Sequence, residues 1–232
     1  MAPHMNELTA RRVAANHAWV AAIAPRGALL RGRAYVVAKR VMDLTLIVAT
    51  LPLLIPLFAL CVIAIKLDGP AGPVFFKQER TGMGGRRFRM YKFRTMVPNA
   101  EELKQQLASL NERAWPDFKI THDPRITRVG RLLRKTSLDE LPQLLNIARG
   151  EMSLVGPRPT SFSSKNYALW HTRRLDVLPG LTGLWQIVGR GDTEFSERLR
   201  LDITYIERRC IWLDLQILLR TIPAVLQGRG AS

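Results

Sequence analysis

The chain has 232 residues, with 35 Lys plus Arg against 19 Asp plus Glu and a formal net charge of +16. That excess selects polyanionic partners, namely nucleic acid, anionic lipid head groups or phosphorylated substrates. Two cysteines, Cys61 and Cys210, argue against a disulfide framework or a thiolate metal site, and the length accommodates one domain of about 190 residues behind a tail and an anchor.

Residues 1–38 form a basic, alanine-rich N-terminal extension without the continuous apolar core of a signal peptide. Residues 44–65, LTLIVATLPLLIPLFALCVIAI, carry no charge and lie between Lys39, Arg40 and Asp43 on one side and Lys66 and Asp68 on the other. Such a run is long enough for one bilayer crossing at about 20 helical residues. Pro52 and Pro56 each remove a helical hydrogen bond, so a kink or break is expected near its middle. Both flanks are basic, whereas a crossing helix places its basic flank on one side. A single crossing and a re-entrant helix that leaves on the face it entered both remain open from the residues alone. With a membrane segment present, lipid and lipid-linked phosphates take precedence over nucleic acid as partners.

After the apolar run, the VFF and RFRMYKF segments read as two short strands joined across residues 81–85. Gly82, Gly84 and Gly85 fit a tight turn better than a phosphate cradle, because no Walker lysine and serine follow them. Residues 99–114 predict a helix, with Asn99 as cap, Glu102 as its capping-box partner and Leu103, Leu107, Leu110 and Ala114 on one face. The next stretch gathers Asp123, Arg125, Arg128, Arg131, Arg134 and Lys135 and leads to adjacent acids, Asp139 and Glu140.

Two readings of that pair compete. Ser137 with Glu140 fits a capping box ahead of an apolar helix face at Leu141, Leu144, Leu145 and Ala148. Pro142 opposes this register and favours an irregular turn before the helix proper. Acids so placed among basic groups suit nucleophilic attack by one and cation binding by the other. Downstream, Gly156, Pro157 and Pro159 form a rigid turn that holds Arg158, whose fork matches phosphate geometry. Residues 161–177 are weakly helical, and LTGLWQIVGRG reads as an apolar strand or loop with Arg190, its Trp185 either interfacial or in the core. Two helical stretches close the chain. Residues 193–208 include Asp202 and Tyr205, and residues 210–226 include Asp214 and are expected to pack on the domain or lie in the interface. Asp202 and Asp214 suit either a metal site or ion pairs with basic groups.

KRVMD at 39–43, GPVFFKQERTG at 72–82, KFRTM at 92–96, the run DPRITRVGRLLRKTSLDELPQLLNIARGEMSLVGPRP at 123–159, PGLTGLWQIVGR at 179–190, LDITY at 201–205 and LDLQILLRT at 213–221 stand in this order. Through these motifs the chain resembles the bacterial sugar transferases, the monotopic phosphoglycosyl transferases that initiate exopolysaccharide, capsule and O-antigen assembly. The resemblance covers nearly everything after residue 38.

It implies an α+β, mostly helical, monotopic membrane protein at the cytoplasmic face of the bacterial inner membrane. The implied parts are the extension 1–38, a re-entrant helix 39–67 broken at Pro52 and Pro56, and a cytoplasmic catalytic domain 68–232. It also implies an enzyme in which Asp139 attacks the sugar-linked phosphate of a UDP-sugar, releases UMP and passes the phosphosugar to undecaprenyl phosphate. Glu140 is the implied ligand for Mg2+. Arg134, Arg158 and Arg190, then Arg125 and Arg128, are the expected phosphate contacts, with Asp202 and Asp214 as supporting acids. Anionic lipids, polysaccharide-assembly enzymes and further copies of the chain are compatible partners, and nucleic acid is not expected. The rival readings are a non-catalytic membrane adaptor, or a tethered nucleic-acid binder suggested only by the charge and the arginine-aromatic segment.

Overall fold

In the computed structural model the described residues are 30, 32–112, 120–161, 169–188 and 195–226. Most of the N-terminal extension, Arg190 and the distal end of the helix expected over 99–114 lie outside them.

Helix α1, Gly32–Asp68, contains the whole charge-free run and is continuous through Pro52 and Pro56. No break in secondary structure occurs where one was expected. Each proline still removes an amide from the ladder. Thr50 Oγ1 donates to the carbonyls of Leu46, at 2.7 Å, and Ile47, at 3.0 Å, in the turn before Pro52. By length and composition this helix is long and apolar enough to cross a membrane.

Its two ends dock on one body. Near the start, Tyr35, Asp43 and Ile47 are buried, and near the end Cys61 and Ile65 are. Ile47 joins a core with Met90, Ile147, Met152, Val155 and Leu213, whereas Cys61 and Ile65 join a second core with Phe93 and Leu133. Between them Val48, Leu53, Ile55 and Leu60 are exposed. Large apolar side chains so exposed require a non-aqueous neighbour.

Polar contacts fix each end. Tyr35 Oη donates to Asp214 Oδ2 at 2.8 Å, Ser153 Oγ donates to Asp43 Oδ2 at 2.6 Å, and Arg40 donates to the carbonyls of Ile147 and Ala148. At the far end the Arg94 guanidinium donates to the carbonyls of Ile65 and Gly69, the first of which also accepts the last helical bond from the Gly69 amide at 3.1 Å.

Strands β1, Phe75–Thr81, and β2, Arg87–Phe93, form an antiparallel hairpin in which Phe75 faces Phe93, Phe76 faces Lys92 and Thr81 faces Arg87. The joining turn is tight, as its glycines predict, with Gly84 at φ +64°. Helix α2, Ala100–Gln106, is shorter than expected and Asn99 makes no side-chain cap. It has no buried residue to hold a longer apolar face against the domain.

Helix α3, Arg128–Lys135, is capped by Thr127, whose hydroxyl accepts from the Gly130 amide at 3.0 Å. A Cβ at Gly130 would lie 2.0 Å from the Thr95 carbonyl oxygen, so glycine permits α3 to press on the end of β2. The single 3-10 turn Leu138–Glu140 follows, and then α4, Gln143–Ala148. Buried Asn146 ties α4 to β2, accepting from the Tyr91 amide at 3.0 Å and donating to the Arg89 carbonyl at 2.8 Å.

Strands β3, Ser153–Val155, and β4, Gly180–Thr182, pair in parallel. Strand β4 covers the start of the stretch expected as an apolar strand or loop, and α5, Leu184–Val188, is a helix in its continuation. Helices α6, Phe195–Arg208, and α7, Ile211–Leu226, match the two predicted closing stretches. Trp185 packs against the first core. Helix α7 buries Leu213 and Ile217 in that core and leaves Trp212, Leu219 and Ile222 exposed.

Candidate active site

The two acids lie in the turn before α4, and the capping box is not formed. Ser137 takes the left-handed conformation, φ 58°, and makes no side-chain cap. Pro142 occupies the N-cap position of α4, where its missing amide breaks no ladder bond. The reversal at Ser137 therefore ends α3 and presents Asp139 and Glu140 to the back of the hairpin.

From that hairpin Lys92 Nζ donates to Glu140 Oε1 at 2.8 Å and lies 3.5 Å from Asp139 Oδ2. From the opposite side Arg158 Nη2 donates to the same Glu140 oxygen at 2.6 Å, with Nη1 3.4 Å from Oε2. Glu140 thus takes the short ionic bonds, and Asp139 keeps one longer contact. Arg134, held by Thr95 Oγ1 at 2.9 Å, stands within electrostatic reach of Asp139.

This asymmetry sets the charge states. Burial pushes the Asp139 carboxyl up, the Glu140 charge adds to the rise, and Lys92, Arg134 and Arg158 oppose it without cancelling it. Burial acts upward on Glu140 as well, but there Arg158 and Lys92 prevail and hold the carboxyl well below the usual carboxylate range. Adjacent acids in one turn are in this way given different protonation behaviour.

Arg158 is itself positioned. Arg174 Nη2 donates to the Arg158 carbonyl at 2.6 Å and to Asp202 Oδ2 at 2.6 Å. The turn carrying Arg158 also meets β4 closely, since a Cβ on Gly156 would lie 2.8 Å from the Gly180 amide nitrogen. Asp202 consequently supports the site through Arg174, and burial lifts its carboxyl to about 6 against the pull of Arg174 and Arg198.

The other expected residues have different places. Arg125 is buried and its guanidinium is engaged by Asp123, at 2.6 Å, and by the Ala100 carbonyl, at 3.1 Å. Arg128 is exposed at the start of α3, and no described bond links it to Asp139 or Glu140. Asp214 receives Tyr35, Tyr205 Oη at 2.7 Å and Lys39 Nζ at 3.2 Å, which makes it the anchor of the N-terminal end of α1. It does not meet Asp202 in a metal cluster, since no group of three or more His, Cys, Asp and Glu converges among the described residues.

Sequence reasoning did not single out Lys92, Arg174, Thr95 or Asn146. Lys92 and Thr95 stood within KFRTM, whereas Asn146 lies off the expected apolar face of Leu141, Leu144, Leu145 and Ala148: α4 instead buries Gln143, Asn146 and Ile147 and leaves Leu145 exposed. Arg174 carried no sequence signal of its own.

The donor set suits a hard divalent cation of the Mg2+ type, which takes one or two carboxylates and completes its shell with water and phosphate. Glu140 Oε2 and Asp139 are the carboxylate oxygens less occupied by cations, because Lys92 and Arg158 converge on Glu140 Oε1.

Known proteins are similar to this chain over most of its length. The galactosyl transferase CpsE of Streptococcus agalactiae is 44% identical over 200 residues, covering 85% of this chain and 44% of that protein. A UDP-galactose-lipid carrier transferase of Erwinia amylovora is 42% identical over 198 residues, covering 83% of this chain and 41% of that protein. The exopolysaccharide production protein ExoY of Rhizobium meliloti is 43% identical over 202 residues, covering 84% of this chain and 88% of that protein. The chain therefore spans less than half of the first two relatives and most of the third. The model described as bacterial sugar transferase matches residues 34–228, a span that includes all but the first two residues of α1, the acid pair, Arg158, Arg174 and α7, and the chain belongs to that family.

Proposed function

We propose that this chain transfers a sugar-1-phosphate from a UDP-sugar to undecaprenyl phosphate at the cytoplasmic face of the bacterial inner membrane, as the first membrane step of exopolysaccharide assembly. An Asp139 carboxylate oxygen attacks the sugar-linked phosphorus. The bond from that phosphorus to the bridging oxygen breaks, and UMP leaves with the oxygen. The enzyme is left with an acyl phosphate that carries the sugar. A phosphate oxygen of the polyprenyl acceptor then attacks the same phosphorus, the Asp139 carboxylate departs, and polyprenyl diphosphate sugar is formed.

The observation that carries this reading is the unequal sharing of cations between the two acids. A carboxylate nucleophile needs a lone pair free of strong ionic bonds, and Asp139 has only the 3.5 Å contact with Lys92. Glu140 holds Lys92 and Arg158 beside it, where their charge opposes the negative charge that grows on the phosphoryl oxygens. Arg134 supplies a further cation on the Asp139 side. Mg2+ held at Glu140 would supply the remaining charge neutralisation when substrate phosphates are present.

The docking of α1 supports a re-entrant path. Both of its ends contact one domain, while Val48, Leu53 and Ile55 between them are exposed. If that apolar middle enters a bilayer, both ends return to the face that carries the domain. The catalytic pair is then held near the head groups, where a lipid-linked phosphate lies.

Intact-protein mass tests the reaction. Wild type is mixed with Mg2+ and each of a panel of UDP-sugars, UDP-galactose and UDP-glucose first, without lipid acceptor. A reactive sugar adds one phosphosugar and releases UMP, and Asp139→Asn adds nothing. Absence of both adduct and UMP release, even after undecaprenyl phosphate is supplied to folded protein, favours the adaptor. UMP release that needs acceptor and never leaves an adduct retains the transferase and removes Asp139 as its nucleophile.

A further inference from the structure

The two phenylalanines that open β1 point to opposite faces of the hairpin, as successive strand residues must. Phe75 has an evident packing role: its ring lies 5.9 Å from Phe58 of α1 and 5.8 Å from Phe93. Both rings are exposed, Phe75 at 41% and Phe76 at 44%, and neither belongs to a core cluster, so the ring contacts of Phe75 are what separate them. The cross-strand partner of Phe76 is Lys92. Directly opposed residues project on the same face, with Cβ atoms about 5 Å apart. Lys92 in turn reaches both Asp139 and Glu140. An exposed aromatic ring therefore stands beside the charged group that binds the acid pair, where packing gives no reason for it.

Its place relative to α1 indicates the ligand. Only six residues separate the end of α1 from the start of β1, and the stack of Phe58, Phe75 and Phe93 fixes this end of the hairpin to that helix. Phe76 and Lys92 thus form the end of the hairpin face nearest the apolar helix. The opposite end leads through Thr81 to Thr160, beyond Arg158, by a backbone bond of 3.0 Å. A lipid-linked phosphate arriving from the side of α1 meets Phe76 before it meets the pair.

We infer that Phe76 is a binding residue for the isoprenoid chain of the acceptor, next to its phosphate, and has no part in binding the nucleotide sugar. The ring covers the first isoprene units, and Lys92 beside it lies where the acceptor phosphate approaches Asp139. This assignment rests on the proposed two-step transfer, because only that reaction brings a polyprenyl phosphate to Asp139. An amphipathic ligand accounts for an apolar ring and an ammonium group placed side by side. A nucleotide would call for an aromatic ring at the far end of this face, near Arg158 and Arg174.

The test separates the half-reactions in full-length protein in detergent micelles. Loading is read as phosphosugar mass on Asp139 with UDP-sugar and Mg2+ alone, and transfer as the steady-state dependence on undecaprenyl phosphate. Phe76→Ser should raise KM for undecaprenyl phosphate about tenfold, as expected for loss of an apolar contact of this size. Its loading rate should remain within about twofold of wild type, since no donor contact is removed. Phe76→Leu should restore KM, because the requirement is for apolar surface. Normal loading of Phe76→Ser with unchanged KM overturns the assignment. Slowed loading also overturns it and gives the face to the donor. Wild type that never loads overturns the two-step reading and this assignment with it.

Discussion

Arg174 and Asp202 form a buried ion pair, 2.6 Å between Nη2 and Oδ2, and the same nitrogen also donates to the Arg158 carbonyl at 2.6 Å. Asp202 on α6 thereby controls the position of a guanidinium that grips Glu140 from the other side. Removing one partner of a buried pair leaves the other charge uncompensated, at a typical cost of about 3 kcal/mol. Arg174→Met is expected to lose that much stability in denaturant unfolding, and to lose less when Asp202→Asn is already present. Arg174→Lys keeps the charge but offers a compact ammonium in place of a planar fork. It should lower kcat about tenfold with a smaller change in the UDP-sugar KM, the pattern of weakened transition-state interactions. An undiminished kcat in folded Arg174→Lys would make the pair purely architectural.

The unequal charge on the acid pair gives a pH prediction with two signs. Asp139 must be ionised to attack, and burial together with Glu140 holds its carboxyl above the ordinary value. The rate of phosphosugar loading therefore falls as pH drops through this raised value, and its acid limb lies above that of an ordinary aspartate. Glu140→Gln removes the neighbouring negative charge and frees Lys92 and Arg158 to act on Asp139, so the limb moves to lower pH. Lys92→Met removes a cation that favours ionisation, so the limb moves to higher pH. Both should reduce the maximal loading rate by about 10²- to 10³-fold, the usual effect of losing one preorganised electrostatic contact. Rapid-quench measurement of UMP release across pH checks the directions, and shifts of the same sign would refute this division of roles.

The backbone at Ser137 carries a third expectation. It is the only described non-glycine residue with positive φ, and it reverses the chain just before the acids. A left-handed conformation costs an ordinary L-residue about 1 kcal/mol. Ser137→Gly should leave the melting temperature unchanged or slightly higher and preserve loading. Ser137→Val, branched at Cβ, should destabilise by about 2 kcal/mol and slow loading by displacing Asp139. Equal melting temperatures and loading rates for the two variants would remove Ser137 as the cause of the turn.

Local sequence signals identified what local forces decide. The charge-free run gave α1, the VFF and RFRMYKF alternation gave the hairpin, and Pro142 separated the acids from α4. Ser137 with Glu140 matches a capping box equally well, but the left-handed turn and the ion pairs to Lys92 and Arg158 override that local option. Arg125, Arg134 and Arg158 cannot be ranked by spacing, because their roles depend on Asp123, Thr95 and Glu140 reaching them in three dimensions. Asp214 illustrates the same limit: its partners Tyr35 and Lys39 lie at the other end of the chain and arrive only when α1 docks. The continuity of α1 through Pro52 and Pro56 also exceeded what the lost amide bonds suggested, because prolines are tolerated in apolar helices that find local compensation.

Docking of both ends of α1 on one body leads to a topology prediction. Val37 and Leu67 flank the apolar middle and are exposed, at 62% and 80%. Single cysteines placed there, with Cys61→Ala and Cys210→Ser removing the native thiols, report the side of the membrane each end occupies. A helix held by Asp214 and Asp43 at one end and by Arg94 at the other cannot put those ends on opposite sides without releasing one set of contacts. A membrane-impermeant maleimide should therefore label both cysteines in inverted inner-membrane vesicles and neither in intact spheroplasts. Labelling of one position in each preparation would establish a crossing helix and require one docked end to separate from the domain. Releasing the first end on purpose gives a matched control: Asp214→Ala removes an acceptor shared by Tyr35, Tyr205 and Lys39 and should cost about 3 kcal/mol, because Lys39 then keeps only its 3.9 Å contact with Asp43. If the second end alone fixes the domain at the bilayer, Leu67→Cys keeps its labelling side in that background while Val37→Cys becomes variable.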